Sequence, residues 1–210
     1  MDTVLLFAFF IVYGLNLFFL VKNIKHGFFI TKLLLTPTLF LFYLYKNDTT
    51  MPIVFFALLF CFFGDLFMEF SERKICFLAG LSSFLMGHIF YIICFYQQIN
   101  KAAPWWLFLF LFAYIGYGIY FYRALNIKDK NLRVAVVFYC VVIFMMSFLA
   151  MLRVQSVSSI SFLLVFSGSL FFIASDSILA YNMFSKKIKH AGIWIMSTYG
   201  IAQLLIIAGL

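Results

Sequence analysis

The stretch PIVFFALLFCFFGDLFMEF, residues 52–70, is apolar along most of its length and places one aspartate, Asp65, well inside it. Residues 158–184, SSISFLLVFSGSLFFIASDSILAYNMF, repeat this arrangement around Asp176. A helical membrane span needs about 20 predominantly apolar residues, so both stretches are predicted to be transmembrane helices. A carboxylate at membrane depth is costly unless it is paired, hydrated or protonated, and such residues are usually functional. The two aspartates are therefore the first candidates for a functional site.

The rest of the chain has the same apolar character. Of its 210 residues, 66% are hydrophobic and only 10% are charged, whereas soluble domains carry about 25% charged residues. Eight segments are apolar over the length of a span, at residues 3–21, 28–45, 52–70, 75–97, 104–122, 132–151, 158–184 and 191–210. The prediction is an all-α bundle of about eight transmembrane helices, forming a single domain over residues 1–210. The loops are too short to hold a nucleotide- or nucleic-acid-binding domain.

The net charge of +8 is distributed unevenly between the loops. Alternate loops hold most of the basic residues, namely Lys22, Lys25, Arg73, Lys74, Arg123, Lys128, Lys130, Arg133, Lys186, Lys187 and Lys189. The intervening loops hold only Lys46, Lys101 and Arg153. Because basic loops stay in the cytoplasm, both termini are predicted on the non-cytoplasmic side. We expect an integral protein of the bacterial cytoplasmic membrane.

Polar side chains within the predicted spans concentrate in the cytoplasmic half of the bilayer. Counting about 1.5 Å per residue from the cytoplasmic end of each helix gives depths up to about 20 Å. The residues so placed are Lys32, Asp65, His88, Tyr139, Asp176, Tyr199 and Gln203. Three pairs share a helix face through a spacing of three or four residues: Asp65 with Glu69, His88 with Tyr91, and Tyr199 with Gln203. Such faces must turn away from lipid, which predicts a pocket open to the inner leaflet.

Each of these residues also has a structural interpretation. The aspartates can be hydrogen-bonded groups that pack helices, and His88 can bridge two helices. Glu69 is near the interface and can be solvated, while Lys32 can either reach the headgroups or contact a phosphate. The remaining polar residues are expected to orient a partner rather than to react.

The polar residue types within the predicted spans favour acid–base chemistry without a metal or other cofactor. Only His88 among the three histidines lies within a span, whereas catalytic zinc usually has two or three nitrogen ligands. The chain also lacks the Gly-x-Ser-x-Gly elbow of many serine hydrolases. Two carboxylates in a low-dielectric pocket can divide the work, one holding a proton while the other stays ionised.

Four short motifs resemble the lysoplasmalogenase (YhhN) family of integral membrane proteins. They are Gly64-Asp65-Leu66, Gly87-His88 with Tyr91, Ser175-Asp176-Ser177, and Tyr199 with Ala202-Gln203. Their order and spacing, and their places on predicted helices 3, 4, 7 and 8, agree with the family, and the resemblance extends over the whole chain. One departure is that the family often has a Lys-Pro pair in helix 2, whereas Lys32 is followed by Leu33 and the proline is Pro37.

The resemblance implies hydrolysis of the vinyl ether bond of lysoplasmalogens to a fatty aldehyde and a glycerophospho-base. Asp65 and Asp176 would then be the catalytic pair, with His88 and Tyr199 orienting them or water and Gln203 holding a substrate oxygen. The expected partner is a lysophospholipid drawn from the membrane. Two other functions remain open: a proton-coupled transporter of a small solute or lipid that uses the same aspartates, and a lipid-binding protein without activity.

Overall fold

The computed structural model describes residues 2–47 and 50–210, and within them the protein is entirely helical. The helices are α1 (Asp2–Val21), α2 (Lys25–Lys46), α3 (Pro52–Met68), α4 (Lys74–Gln98), α5 (Phe110–Ala124), α6 (Lys130–Leu152), α7 (Ser159–Phe184) and α8 (Ala191–Gly209). Short 3₁₀ helices precede α5, at Trp105–Leu109, and follow α6, at Arg153–Gln155. The predicted all-α fold is confirmed, and no strand occurs in the described ranges.

Seven of the helical segments in the described residues are long and apolar enough to cross a membrane. The protein is thus an integral membrane protein. The exception is α3, whose 17 residues span about 26 Å at 1.5 Å per residue, less than a hydrocarbon core of about 30 Å. It ends at Met68, two residues before the end predicted from the sequence, and Glu69 is its C-terminal cap. Glu69 therefore lies at a helix end.

The described residues form two compact units, one running to Cys94 with Leu210 added and the other covering Phe95–Gly209. The single domain predicted over residues 1–210 stays a prediction. In the first unit, α1 and α2 are joined by a buried amide. The Asn16 side chain is 0% exposed, and its Nδ2 donates to the Thr31 hydroxyl at 3.1 Å and to the Phe28 carbonyl at 3.1 Å.

Glycines allow α3 and α4 to approach closely within the first unit. A Cβ on Gly87 would lie 3.0 Å from Cys61 Sγ and 3.2 Å from the Ala57 carbonyl oxygen, and one on Gly64 would meet the Phe84 ring at 2.8 Å. Within a membrane the hydrophobic effect does not drive helices together, so they associate through close packing, which small residues permit. The contact matters because Asp65 and His88 are the next residues along the chain from the two glycines.

In the second unit, α7 and α8 pack through a similar close contact. A Cβ on Gly168 would lie 2.9 Å from both the Ala202 carbonyl oxygen and the Ile206 amide nitrogen. The hydroxyls of Ser147 on α6 and Ser169 on α7 are 2.8 Å apart, so hydrogen bonding continues the packing to α6. These contacts fix the face of α7 that carries the second aspartate.

Arg153, which the charge count placed in a loop, lies inside the protein. It belongs to the 3₁₀ helix after α6 and is 0% exposed. Its Nη2 donates to the Ser161 hydroxyl at 2.9 Å, and its guanidinium carbon lies 5.4 Å from the centre of the Phe95 ring. The Ser161 hydroxyl in turn donates to the Gly209 carbonyl. Arg153 thus stabilises the packing of α7 and α8 instead of facing solvent.

Candidate functional site

Lys32 on α2 lies between two carboxylates at the end of α3. Its Nζ is 3.9 Å from Asp65 Oδ1 and 3.7 Å from Glu69 Oε2. The Lys32 side chain is 10% exposed and that of Asp65 is 3% exposed, whereas that of Glu69 is 27% exposed. Three of the polar residues chosen from the sequence are thus brought together as a cluster. Its formal charge is −1 when all three groups are ionised, so one added proton would make it neutral.

The position of Asp65 follows from the short α3. The helix ends three residues after Asp65, so its carboxylate lies one turn from the helix end and from Glu69. Residues four apart share a helix face, which lets one ammonium group reach both carboxylates. Asp65 is nevertheless nearly fully buried, and the preceding residue, Gly64, lies against the Phe84 ring of α4.

A cavity of about 250 Å³ lies between α2 and α3. It is lined by apolar side chains and by Thr36, one helical turn from Lys32. The Thr36 side chain is 1% exposed, and its hydroxyl has no hydrogen-bond partner among the described residues. A buried hydroxyl in this state can accept or donate to a small polar ligand.

His88 and Tyr91 lie on α4 and are both 0% exposed. They are three residues apart, so they share one side of the helix, as the sequence predicted. His88 directly follows Gly87, which packs against Cys61 and Ala57 of α3. Both side chains are therefore held inside the first unit, where a histidine can transfer or position a proton.

In the second unit, Tyr139 of α6 binds Asp176 of α7. The Tyr139 hydroxyl donates to Asp176 Oδ2 at 2.5 Å. Tyr139 is 7% exposed and Asp176 is half-buried. A hydrogen bond to a carboxylate is short and about twice as strong as one between neutral groups, so it fixes the orientation of Asp176. The structure thus brings together two more of the residues chosen from the sequence.

The serines on either side of Asp176 anchor that part of α7. The Tyr117 hydroxyl on α5 donates to the Ser177 hydroxyl at 2.8 Å, and the Ser175 hydroxyl donates to the Ile195 carbonyl on α8 at 3.1 Å. Tyr117 was not among the residues chosen from the sequence. Nothing in the local sequence distinguishes it from the other tyrosines of α5, because only tertiary packing selects the one that meets α7.

Tyr199 and Gln203 form a buried pair on α8. Gln203 Nε2 donates to the Tyr199 hydroxyl at 3.3 Å. The Tyr199 ring packs edge-on against Phe172 of α7, with ring centres 5.5 Å apart. Phe172 lies one turn before Asp176, so this pair lies on the side of α8 that faces α7.

The candidate residues thus fall into two groups, one in each compact unit. The first group contains Lys32, Asp65, Glu69, His88 and Tyr91, and the second contains Tyr139, Asp176, Tyr199 and Gln203. The meeting of Asp65 and Asp176 in one pocket stays a prediction. Over residues 2–47 and 50–210, no three His, Cys, Asp or Glu side chains form a group that could hold a metal ion.

Comparison with known protein families gives a match to the YhhN family over residues 27–210. No curated protein and no solved structure gives a significant match. The matched region contains α3 to α8 and every one of the candidate residues. It also contains the four motifs built around Asp65, His88, Asp176 and Tyr199. The chain therefore belongs to the YhhN family.

Proposed function

We propose that the protein is a lysoplasmalogenase-like hydrolase, which cleaves the vinyl ether bond of lysoplasmalogens. The observation that carries the proposal is that two separate helices each bear an aspartate with a polar partner from a neighbouring helix. Lys32 pairs with Asp65, and Tyr139 binds Asp176. Membership of the YhhN family supports a hydrolase of this kind. We propose that it acts in the cytoplasmic membrane of a bacterium and that its lysophospholipid substrate enters from the bilayer.

Vinyl ether hydrolysis requires a proton donor and a group that activates water. A carboxylic acid donates its proton to the alkenyl carbon distant from the ether oxygen, and the π electrons form the new C–H bond. Water then attacks the resulting oxocarbenium carbon while a carboxylate accepts the water proton. The hemiacetal then loses its bond to the glycerol oxygen, which takes the proton from the newly formed carboxylic acid, while the other carboxylate accepts the hemiacetal hydroxyl proton and the aldehyde is released. One water is consumed, and the two carboxyl groups can return to their starting states.

The surroundings of the two aspartates suit the roles of proton donor and water-activating base. Asp65 shares one ammonium group with Glu69, so the cluster can hold or release a proton without leaving an isolated charge in a low-dielectric region. Asp176 is oriented by the Tyr139 hydroxyl, which fixes one carboxylate oxygen.

The remaining candidate residues are assigned to orientation. His88 and Tyr91 are buried on α4 and would direct water or the Asp65 carboxyl group. Tyr199 and Gln203 present a hydroxyl and an amide that can hold substrate oxygen atoms. Glu69 acts through Lys32, as a positioning residue.

The experiment is to measure aldehyde release from lysoplasmalogen by purified protein in detergent, with mass-spectrometric identification of both products. Asp65→Asn and Asp176→Asn should each reduce turnover by at least about 100-fold, the lower range for general acid–base catalysis. Glu72→Gln, which changes an exposed carboxylate outside the helices, is the matched control and should retain activity. Full activity in both aspartate variants would refute the mechanism.

The transporter alternative predicts a different result. Wild-type protein in liposomes would then take up solute in response to a proton gradient and release no aldehyde. Saturable lysolipid binding without product would instead favour a lipid-binding protein. Either outcome in place of aldehyde release would overturn the hydrolase proposal.

A further inference from the structure

A groove of about 590 Å³ runs between α5 and α6 in the second unit. It extends from Leu111 on α5 to Leu125, just after the end of that helix, and from Val136 to Phe148 along α6, and its lining is almost entirely apolar. Binding sites for small molecules commonly measure about 300–1,000 Å³. The stretch of α5 that lines it is about 21 Å long at 1.5 Å per residue. One leaflet is about 15 Å deep, half the hydrocarbon core, so the groove can hold one complete hydrocarbon chain.

A second cavity, of about 210 Å³, adjoins the end of this groove. Tyr122 and Leu125 line both spaces, so the two are neighbours. The second cavity adds Arg123, Ile127 and Arg133. Both arginines are exposed at the loop between α5 and α6. An apolar groove that ends beside a pair of arginines complements a single-chain lipid with an anionic headgroup.

Arg133 is held in place for such a role. Its Nε and Nη2 both donate to the Ile127 carbonyl, at 3.2 and 2.5 Å. A guanidinium group has five N–H donors in a planar fork, so donors remain for a phosphate after these two bonds. Arginine binds phosphate through paired hydrogen bonds more readily than lysine does.

The groove also lies next to the second aspartate. Cys140 lines it and lies within electrostatic range of Asp176, and the preceding residue, Tyr139, binds the Asp176 carboxylate. Cys140 is about 10 Å along α6 from Arg133, at 1.5 Å per residue. In a lysoplasmalogen, the vinyl ether lies between the phosphate and the body of the chain. A phosphate at the arginines and a chain in the groove would bring that bond close to Asp176.

We propose that the groove between α5 and α6 and the adjoining Arg123–Arg133 cavity form the binding site for a lysophospholipid. The chain occupies the groove and the phosphate is bound by the arginines. The inference rests on the proposed function, because the ligand is its substrate. The cavity between α2 and α3 is the rival position for the chain, but its volume is only about 250 Å³. The ammonium group of Lys32 nearby is already shared by two carboxylates, so a phosphate would meet net negative charge there.

Photocrosslinking locates the ligand independently of turnover. The probe is a lysophosphatidylcholine with a diazirine in mid-chain, whose acyl ester replaces the vinyl ether. We expect the labelled peptides to derive from α5 and α6, with labelling reduced by excess unlabelled lysoplasmalogen. A monoacylglycerol probe with the same chain but no phosphate should label at least fivefold less. Labelling confined to α2 and α3, or equal labelling by the two probes, would overturn the assignment.

Two pairs of matched variants test the groove and the arginines separately. Ile115→Trp fills the groove about 15 Å from Leu125. It should lower turnover of a hexadecenyl substrate about tenfold relative to turnover of an octenyl substrate. Phe112→Trp, outside the groove on the same helix, is the control and should leave this ratio unchanged. Arg123→Gln should raise the KM for lysoplasmalogen about tenfold with little change in kcat, whereas Lys128→Gln, an exposed cation outside the cavity, should not. An unchanged chain-length ratio in Ile115→Trp, or an unchanged KM in Arg123→Gln, would contradict the proposed site.

The outcomes separate this inference from the proposed function. If wild-type protein releases no aldehyde but the probe labels α5 and α6, the proposed hydrolase is wrong and the lysophospholipid site stands. If aldehyde is released while the label maps to α2 and α3, the hydrolase stands and the groove assignment is wrong.

Discussion

Breaking the cluster of Lys32, Asp65 and Glu69 tests whether burial, rather than distance, determines the strength of an ion pair in this protein. The two N···O distances, 3.9 and 3.7 Å, are nearly equal. With an effective dielectric constant of about 20, each pair would gain about 4 kcal/mol from Coulomb's law alone. Distance therefore predicts two couplings of the same size.

Burial predicts that the couplings differ. The Asp65 side chain is 3% exposed, whereas that of Glu69 is 27% exposed and can be solvated. Removing one partner of a buried pair destabilises by about 3–5 kcal/mol, whereas pairs in contact with solvent contribute about 0–1 kcal/mol. We therefore expect a Lys32–Asp65 coupling of about 2–4 kcal/mol and a Lys32–Glu69 coupling below about 1 kcal/mol.

The assay is a pair of double-mutant cycles on the free energy of unfolding, measured by titration with a denaturing detergent. The variants are Lys32→Met, Asp65→Asn, Glu69→Gln and the two double variants that contain Lys32→Met. Lys25→Met, an exposed lysine on the same helix, is the control and should change stability by less than about 0.5 kcal/mol. A Glu69 coupling equal to or larger than that of Asp65 would refute the reasoning.

Three further predictions concern the second unit. Tyr139→Phe removes the hydroxyl that binds Asp176, and the loss of a hydrogen bond worth about 1.5–3 kcal/mol should lower the rate of aldehyde release about 10- to 100-fold. Tyr120→Phe, at a tyrosine that is 70% exposed, is the control, and equal rates in the two variants would contradict the role of the hydroxyl. Gly168→Ala should destabilise the protein by about 1–3 kcal/mol, because its Cβ would lie 2.9 Å from backbone atoms of α8. Gly116→Ala, where no atom lies within 4 Å of a new Cβ, should instead stabilise α5 by about 0.5–1 kcal/mol. Thermal unfolding in detergent measures both glycine variants, and a melting temperature for Gly168→Ala at or above that of wild type would contradict the close packing of α7 on α8.

The helices and the candidate carboxylates could be read from the sequence because each depends on local composition. An apolar run of about 20 residues predicts a span whatever its neighbours are. An aspartate within such a run is conspicuous for the same reason. Helix boundaries depend on more than composition: α3 ends at Met68 rather than at residue 70, since helix ends depend on capping and on the contacts of the last turn.

The partners of the polar groups were harder to predict. The sequence indicated that Lys32 faces either headgroups or a phosphate, but its ammonium group lies between Asp65 and Glu69. Arg153 counted as a loop residue, yet it is fully buried beside Ser161 and Phe95. In both cases the side chain is long and flexible, so its position along the chain does not determine which neighbour it reaches.

By itself, the sequence determined that this is an all-helical membrane protein of the YhhN family, with Asp65 and Asp176 inside its helices. Hydropathy and short motifs carry that information. A segment that spans the hydrocarbon core needs apolar side chains, and its backbone N–H and C=O groups must be hydrogen-bonded within the helix. The tertiary structure alone decided that Tyr139 binds Asp176 and that an apolar groove between α5 and α6 opens beside two arginines. The physical reason is that contacts between helices depend on how their faces are rotated and packed, and residues distant along the chain establish that packing together.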